Sequence, residues 1–181
     1  MQRIALYDLD RTVTRAPTFT PFLLHMALGK PLRLLGVPLW LLAMLGYKAK
    51  LYRRKPLKQF GLRLLVGQVV KNSALSPRID RFVAQQLARN IQPGARAQIA
   101  ADRAGGVRLV LVTAAPEIYA EAMATALGFE ACIATRHLRN AQGNLLSAIE
   151  GENNYAAEKV GRVATWLSEQ GLARGDCHLT A

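Results

Sequence analysis

The chain has 181 residues, 51% of them hydrophobic and 20% charged, enough apolar side chain for one core domain with a modest insertion and too much for a disordered chain. Its two cysteines, Cys132 and Cys177, match no metal-ligand spacing and are too few for a disulfide framework, so they read as reduced small hydrophobes in a cytoplasmic protein. The net charge of +12 is unevenly placed, with 16 Lys and Arg against 3 acidic residues through Asn90 and 8 against 9 from Ile91 onward, which points to an acidic partner surface, nucleic acid or anionic lipid.

Arg3 to Leu9 (RIALYDL) is an apolar run of β-forming residues followed by the polar stretch Asp10 to Arg15, which predicts a strand ending at Asp8 and feeding a loop. Arg3 and Asp8 within this opening also exclude a secretory signal there. From Pro17 to about Asn90 there is no strand-like alternation, and the spacing predicts several helices broken at Gly29-Lys30-Pro31, Gly36-Val37-Pro38, Lys55-Pro56 and Ser76-Pro77. Within this insertion Leu34 to Tyr47 carries no charge over 14 residues, short of the ~20 that span a bilayer. Pro38 interrupts it and Lys30, Arg33, Lys48 and Lys50 bracket it, so it is expected to be buried, re-entrant or interfacial.

From Ile91 the pattern turns to α/β. A helix is predicted over Ala95 to Ala104, then a buried parallel strand over Val107 to Val112 with Thr113 at its carboxyl end. A helix from Pro116 to Leu127 stops at Gly128. A third strand at Ala131 to Thr135, a hairpin around Ala141 to Asn144, a helix from Tyr155 to Gln170 and a strand beginning at Asp176 complete the chain. Alternating strands and helices predict an α/β parallel sheet whose functional groups gather at the strands' carboxyl ends, where Asp8 and Thr113 fall.

Two of the chain's five aspartates stand one residue apart in Asp8-Leu9-Asp10-Arg11-Thr12, a DxDxT run directly after an apolar strand. This segment resembles the first motif of the haloacid dehalogenase superfamily. Val112-Thr113-Ala114-Ala115-Pro116-Glu117 resembles its second motif in the phosphoserine-phosphatase-like branch, and Lys159, following Glu152-Asn153-Asn154-Tyr155, resembles that branch's third-motif lysine. Singly, such a threonine is more often a helix cap and such a lysine a solvated side chain. The ordered triple carries the resemblance.

The resemblance implies a Rossmann-like core over 1–15 and 91–181, with a helical cap over 16–90 inserted after the first strand. It implies a hydrolase acting on phosphoric monoesters. Asp8 would attack phosphorus to form an aspartyl-phosphate, and Asp10 would protonate the leaving alcohol and then accept a proton from water. Thr113 and Lys159 would bind the phosphoryl oxygens. Mg²⁺ would be held by the Asp8 carboxylate and the Asp10 backbone carbonyl. The family's fourth motif, which adds another carboxylate to the metal, does not occur in these residues. Asp176 precedes its strand and is no substitute. The core is therefore expected to be incomplete at its C-terminal end, and these 181 residues to show weak or no Mg²⁺-dependent turnover alone.

Phosphoserine phosphatases carry an acidic residue shortly after the first motif, and Thr14-Arg15-Ala16-Pro17-Thr18 offers none. The apolar stretch and the basic run Lys48 to Lys55 suit the edge of an anionic bilayer instead, with Trp40, Tyr47 and Tyr52 placed for the headgroup level. The run from Pro17-Thr18-Phe19 through Pro21-Phe22-Leu23 is similar to the phosphatidylglycerophosphatase C type, a membrane-associated member of the branch. Three readings stay open at this point: a lipid-phosphate hydrolase peripheral to the inner membrane, a soluble phosphatase for a phosphorylated small molecule, and a non-catalytic module binding a membrane or protein partner. Nucleic acid is disfavoured because the basic run adjoins leucines rather than stacking aromatics. His25, His137 and His178 form no ligand pattern and read as structural.

Overall fold

The computed structural model describes residues 3–172 and, for the backbone, 177–180. Four strands, β1 (Ile4–Tyr7), β3 (Arg108–Pro116), β4 (Ala131–Thr135) and β7 (Cys177–Thr180), form a parallel sheet in the order β4-β3-β1-β7. The short strand β2 (Val69–Lys71) belongs to a separate sheet. Every residue of β1 is buried, as expected of a strand covered on both faces. Ile4 and Leu6 pack with Val110, Val112 and Leu167 on one side, while Ala5, Tyr7, Leu109 and Leu111 join the larger core on the other. The helices covering the sheet are α5 (Pro93–Ala104), α6 (Glu117–Leu127) and α7 (Ala157–Glu169).

The register sets the site. Tyr7 lies opposite Leu111 and Thr180, so Asp8, one step on, emerges level with Val112, and Thr113 is one residue further along the neighbouring strand. The chain moves outward from β1 to β3 and β4, then returns to the other side of β1 as β7. That reversal makes the carboxyl end of β1 a topological switch point, where open α/β sheets place their ligands. β3 runs longer than its sequence pattern, carrying Thr113 inside the strand and ending at Pro116. The two cysteines sit on opposite edge strands, three strand spacings apart, too far for a disulfide.

Between β1 and β3 lie α1 (Phe19–Ala27), a 3-10 turn (Pro31–Gly36), α2 (Val37–Lys48), α3 (Arg54–Leu65), β2 and α4 (Ser76–Arg89). Two sequence expectations change here. Pro56 falls in the first turn of α3, where its missing N–H costs nothing, so it marks a helix start rather than a break. The expectation of helices alone fails at β2, which pairs antiparallel with β6 (Leu145–Ile149), itself the hairpin partner of β5 (His137–Arg139). Three residues are too short for a visible alternation, and the pairing partner lies far along the chain.

The insertion shares one core with the sheet: Phe22 of α1 meets Phe82 of α4 edge-to-face, with ring centroids 5.2 Å apart, and packs at a tilt against Tyr119 of α6 at 4.7 Å. α2 is different. Trp40 is its one buried residue, pinned over Gly61, while Leu39, Leu41, Leu42 and Leu45 are exposed, as are Leu32 and Leu35 before it. The uncharged stretch is therefore a surface feature rather than a buried one. No helix among the described residues is long and apolar enough to cross a membrane.

Candidate active site

The loop after β1 holds both aspartates. Asp8 Oδ1 accepts the Leu9 N–H at 2.8 Å and stands 3.2 Å from Lys159 Nζ. Both interactions fall on one oxygen, and no hydrogen bond among the described residues reaches Oδ2. Lys159 sits in the first turn of α7, where the helix dipole disfavours a cation. Its placement serves Asp8 rather than the helix.

The loop is pinned from both sides. The Thr14 N–H donates to Leu9 O at 2.8 Å, the Arg15 N–H to Asn90 O at 2.7 Å, and the Gln92 N–H to Val13 O at 3.0 Å. These bonds hold Arg11 at φ 67°, a left-handed conformation that costs a non-glycine residue roughly 1–2 kcal/mol.

Asp10 Oδ1 accepts both donors of Thr18, the backbone N–H at 2.9 Å and the hydroxyl at 2.8 Å. Since the Thr18 hydroxyl donates to Asp10, the bond of 3.0 Å to Tyr119 is donated by the phenol. Burial raises the Asp10 pKa above the ordinary carboxylate value, with the Asp8 charge adding to it and the Thr18 bonds and Lys58 opposing. Buried Tyr119 is held protonated by the same desolvation, so it stays a donor. A carboxyl whose pKa is raised toward the working range suits proton transfer in both directions.

Thr113 is buried in β3, and its hydroxyl accepts the Ala115 N–H at 3.0 Å, leaving its own proton to donate. Behind it, the Asn154 amide donates to Thr113 O at 2.9 Å and Ile133 O at 2.7 Å, fastening the loop before α7 to two strands. Asn153 Nδ2 and Asn154 Oδ1 are buried without a partner among the described residues, which marks this loop as polar beyond its own needs.

One charged residue at the site escaped sequence reasoning. Lys58, on α3, is 7% exposed, and its ammonium donates to Ala114 O at 2.5 Å and Asn153 Oδ1 at 2.6 Å. Burial, then the nearby Arg54, lower its pKa to about 7, with Asp10 pulling the other way. The signal was present: Leu57, Lys58, Gly61, Leu62 and Leu65 form the buried stripe of α3, and a lysine in such a stripe needs partners. Thr18 and Tyr119 were missed for want of any local pattern. His137 is buried in β5 and donates from Nδ1 to Leu146 O, with burial lowering its pKa to about 4, consistent with a structural role.

The oxygens of Asp8 and the Asp10 backbone suit a hard cation. No cluster of three or more His, Cys, Asp or Glu side chains among the described residues could hold a metal. Mg²⁺ commonly takes one or two carboxylates together with substrate phosphate and water, so this pair fits a magnesium site shared with a phosphate.

A parallel sheet that presents two aspartates and a threonine toward the carboxyl ends of neighbouring strands, with a lysine from the first turn of α7 beside them and a mostly helical insertion after the first strand, has the architecture of a Rossmann-like hydrolase. The chain belongs to the haloacid dehalogenase-like hydrolase family, whose sequence profile matches residues 5–178. It is 30% identical over 165 residues to Protein CicA of Caulobacter vibrioides, covering 88% of this chain and 70% of that protein. A structure of a protein with unknown function from Bordetella pertussis Tohama I superposes with a TM-score of 0.82 at 26% identity, covering 98% of this chain and 79% of that one. A phospho-aspartyl intermediate analogue of phosphoserine phosphatase shares the fold, with a TM-score of 0.62 at 18% identity over 98% of this chain and 77% of that one.

Proposed function

We propose that the chain carries the nucleophile, acid/base and phosphate-binding groups of a hydrolase of phosphoric monoesters that works through an aspartyl-phosphate on Asp8. The observation that carries this reading is the 3.2 Å contact between Lys159 Nζ and Asp8 Oδ1, beside an Asp10 whose pKa is raised. With Oδ1 tied to Leu9 and Lys159, Oδ2 is the attacking oxygen, which divides one difficult displacement into two easier ones. Lys159 and the Thr113 hydroxyl hold the phosphoryl oxygens and offset their charge. Asp10 protonates the leaving alkoxide and, now ionised, takes a proton from the water that cleaves the acyl phosphate. When Mg²⁺ is bound, the Asp8 carboxylate and the Asp10 carbonyl would hold it, and it would supply charge neutralisation for the phosphate. Residues 16–90 act as the cap that selects substrate.

The substrate reading is a lipid phosphate met at an anionic membrane surface, such as phosphatidylglycerophosphate. It is favoured over a soluble phosphorylated metabolite by the exposed leucines of α2 and the 3-10 turn, with Leu32 83%, Leu35 79% and Leu42 63% exposed. An exposed apolar surface bordered by Lys and Arg suits the edge of an anionic bilayer. The protein would meet the membrane peripherally from the cytoplasmic side.

The test is trapping of the acyl phosphate with Mg²⁺ present, using phosphatidylglycerophosphate in mixed micelles and a soluble aryl phosphate in parallel. Hydroxylamine-labile phosphate on Asp8, absent from Asp8→Asn, is expected. Equal phosphate release by Asp8→Asn and the parent would overturn the assignment of the nucleophile. A marked preference for the soluble ester would overturn the lipid reading alone.

A further inference from the structure

Away from the Asp8 loop, a cavity of about 470 Å³ opens between the end of α1, the 3-10 turn, β2 and the start of α4. Lys30, Arg33, Arg78 and Arg81 line it, and no acidic residue does. None occurs anywhere from Arg11 to Ile79, and the exposed Asp80 of α4 is outside the lining. None of the four cations has an ion pair among the described residues.

Two of the guanidinium groups are built into place. Arg78 Nε donates to His25 O at 3.0 Å, while His25 Nε2 donates back to Arg78 O at 3.0 Å, locking α1 to α4. Gly29 makes room for the Arg78 head, since a Cβ there would stand 2.5 Å from Nη1. Gly67 does the same for Arg33: its φ of +118° excludes most side chains, and a Cβ would stand 2.6 Å from Nη2. Seating four like charges around one cavity without a counter-ion is unfavourable. Planar guanidinium forks match the oxygens of a phosphate, and the N-terminal end of α4 adds the same polarity.

We propose that this cavity is a second anion site, separate from the Asp8 site, that binds a phosphate group. The group belongs either to the headgroup of an acidic phospholipid, whose chains would meet the exposed Leu28, Leu32 and Leu35 beside it, or to a free phosphorylated solute. The assignment does not depend on turnover at Asp8.

The test pairs Arg33→Glu/Arg81→Glu with an equal charge reversal elsewhere, Arg89→Glu/Arg136→Glu, both on a Lys159→Met background that weakens phosphate binding at Asp8. One arm measures sedimentation with phosphatidylcholine vesicles with and without phosphatidylglycerol; the other measures the rise in thermal midpoint produced by inorganic phosphate. A loss of vesicle affinity of about tenfold or more, confined to the pocket variant, identifies a lipid headgroup. A phosphate-induced shift lost only in the pocket variant identifies a soluble anion. If both arms are unmoved, or the two variants weaken binding equally, the proposal is overturned.

Discussion

The hydroxyl and the backbone N–H of Thr18 both reach Asp10 Oδ1, at 2.8 and 2.9 Å. A residue of the insertion thus biases the protonation of a carboxyl on the loop after β1. Both bonds favour the ionised form, and burial outweighs them, so the Asp10 pKa ends above its ordinary value. Packing of the insertion against the loop and the proton affinity of Asp10 are therefore coupled.

That balance predicts a trade between stability and turnover. A raised carboxyl pKa means that the folded state binds more protons, so the associated stability is present below the unfolded pKa and lost as pH rises through the folded one. At neutral pH an ionised Asp10 is a burden. In metal-free protein Asp10→Asn, which keeps an acceptor for Thr18, is expected to raise the thermal midpoint by about 2–4 °C for each 1 kcal/mol relieved, while turnover collapses. A midpoint at or below that of the parent at pH 7, in chelator, would refute the burial account.

Lys58 gives the opposite sign. Its pKa is lowered to about 7, so the folded state releases its proton earlier than the unfolded chain, and stability is lost as pH falls through about 7 and regained toward the unfolded value. Denaturant titrations of the parent and Lys58→Met between pH 6 and 10 should therefore diverge, the parent gaining on the order of 1–5 kcal/mol relative to the variant as pH rises. Parallel curves would show that the ammonium is stabilised by Ala114 and Asn153 more than burial costs it. Since Lys58 also opposes the raised Asp10 pKa, Lys58→Met should move the limb of the pH-rate profile set by Asp10 upward.

Packing of the insertion has its own weak point. A Cβ on Gly61 would stand 2.6 Å from the Trp40 ring and 2.9 Å from Leu23 Cδ1. Both neighbours are buried, so Gly61→Ala forces rearrangement costing about 1–3 kcal/mol, despite alanine's better helix propensity. Chemical denaturation reads the loss directly, and Trp40 fluorescence should report a freer indole. An unchanged or higher stability would mean that α2 sits further from α3 than described.

The position of the loop after β1 was legible in the sequence because its determinants are local. A strand written as a continuous apolar run places Asp8 at its end, and the same logic places Thr113 beside it through the pairing of Tyr7 with Leu111. Lys159 came from resemblance and is brought to Asp8 across the length of the core. What stayed hidden depends on partners far along the chain. Lys58 bonds Ala114 and Asn153, 56 and 95 residues away, and β2 finds β6 across a similar gap. Hydropathy showed that Leu34 to Tyr47 is apolar, but whether such a helix packs inward or faces solvent is decided by the neighbours available to cover it. Here α3 covers the side bearing Trp40 and leaves the leucines outside.

Those leucines separate a structural role from an interfacial one. Leu42 and Leu45 are 63% and 61% exposed, and glutamine has a helix propensity close to leucine's. The double variant Leu42→Gln/Leu45→Gln should thus keep its stability within about 0.5 kcal/mol per site, as surface changes do. At a bilayer the two side chains would each bury apolar area contributing roughly 1.5–3 kcal/mol, so affinity for phosphatidylglycerol vesicles should fall about tenfold or more. Turnover of a soluble phosphoester would be untouched, while turnover of a vesicle-borne one would fall with binding. If the variant instead loses stability and keeps its vesicle affinity, α2 is covered in solution by protein, and the lipid reading of the substrate fails with it.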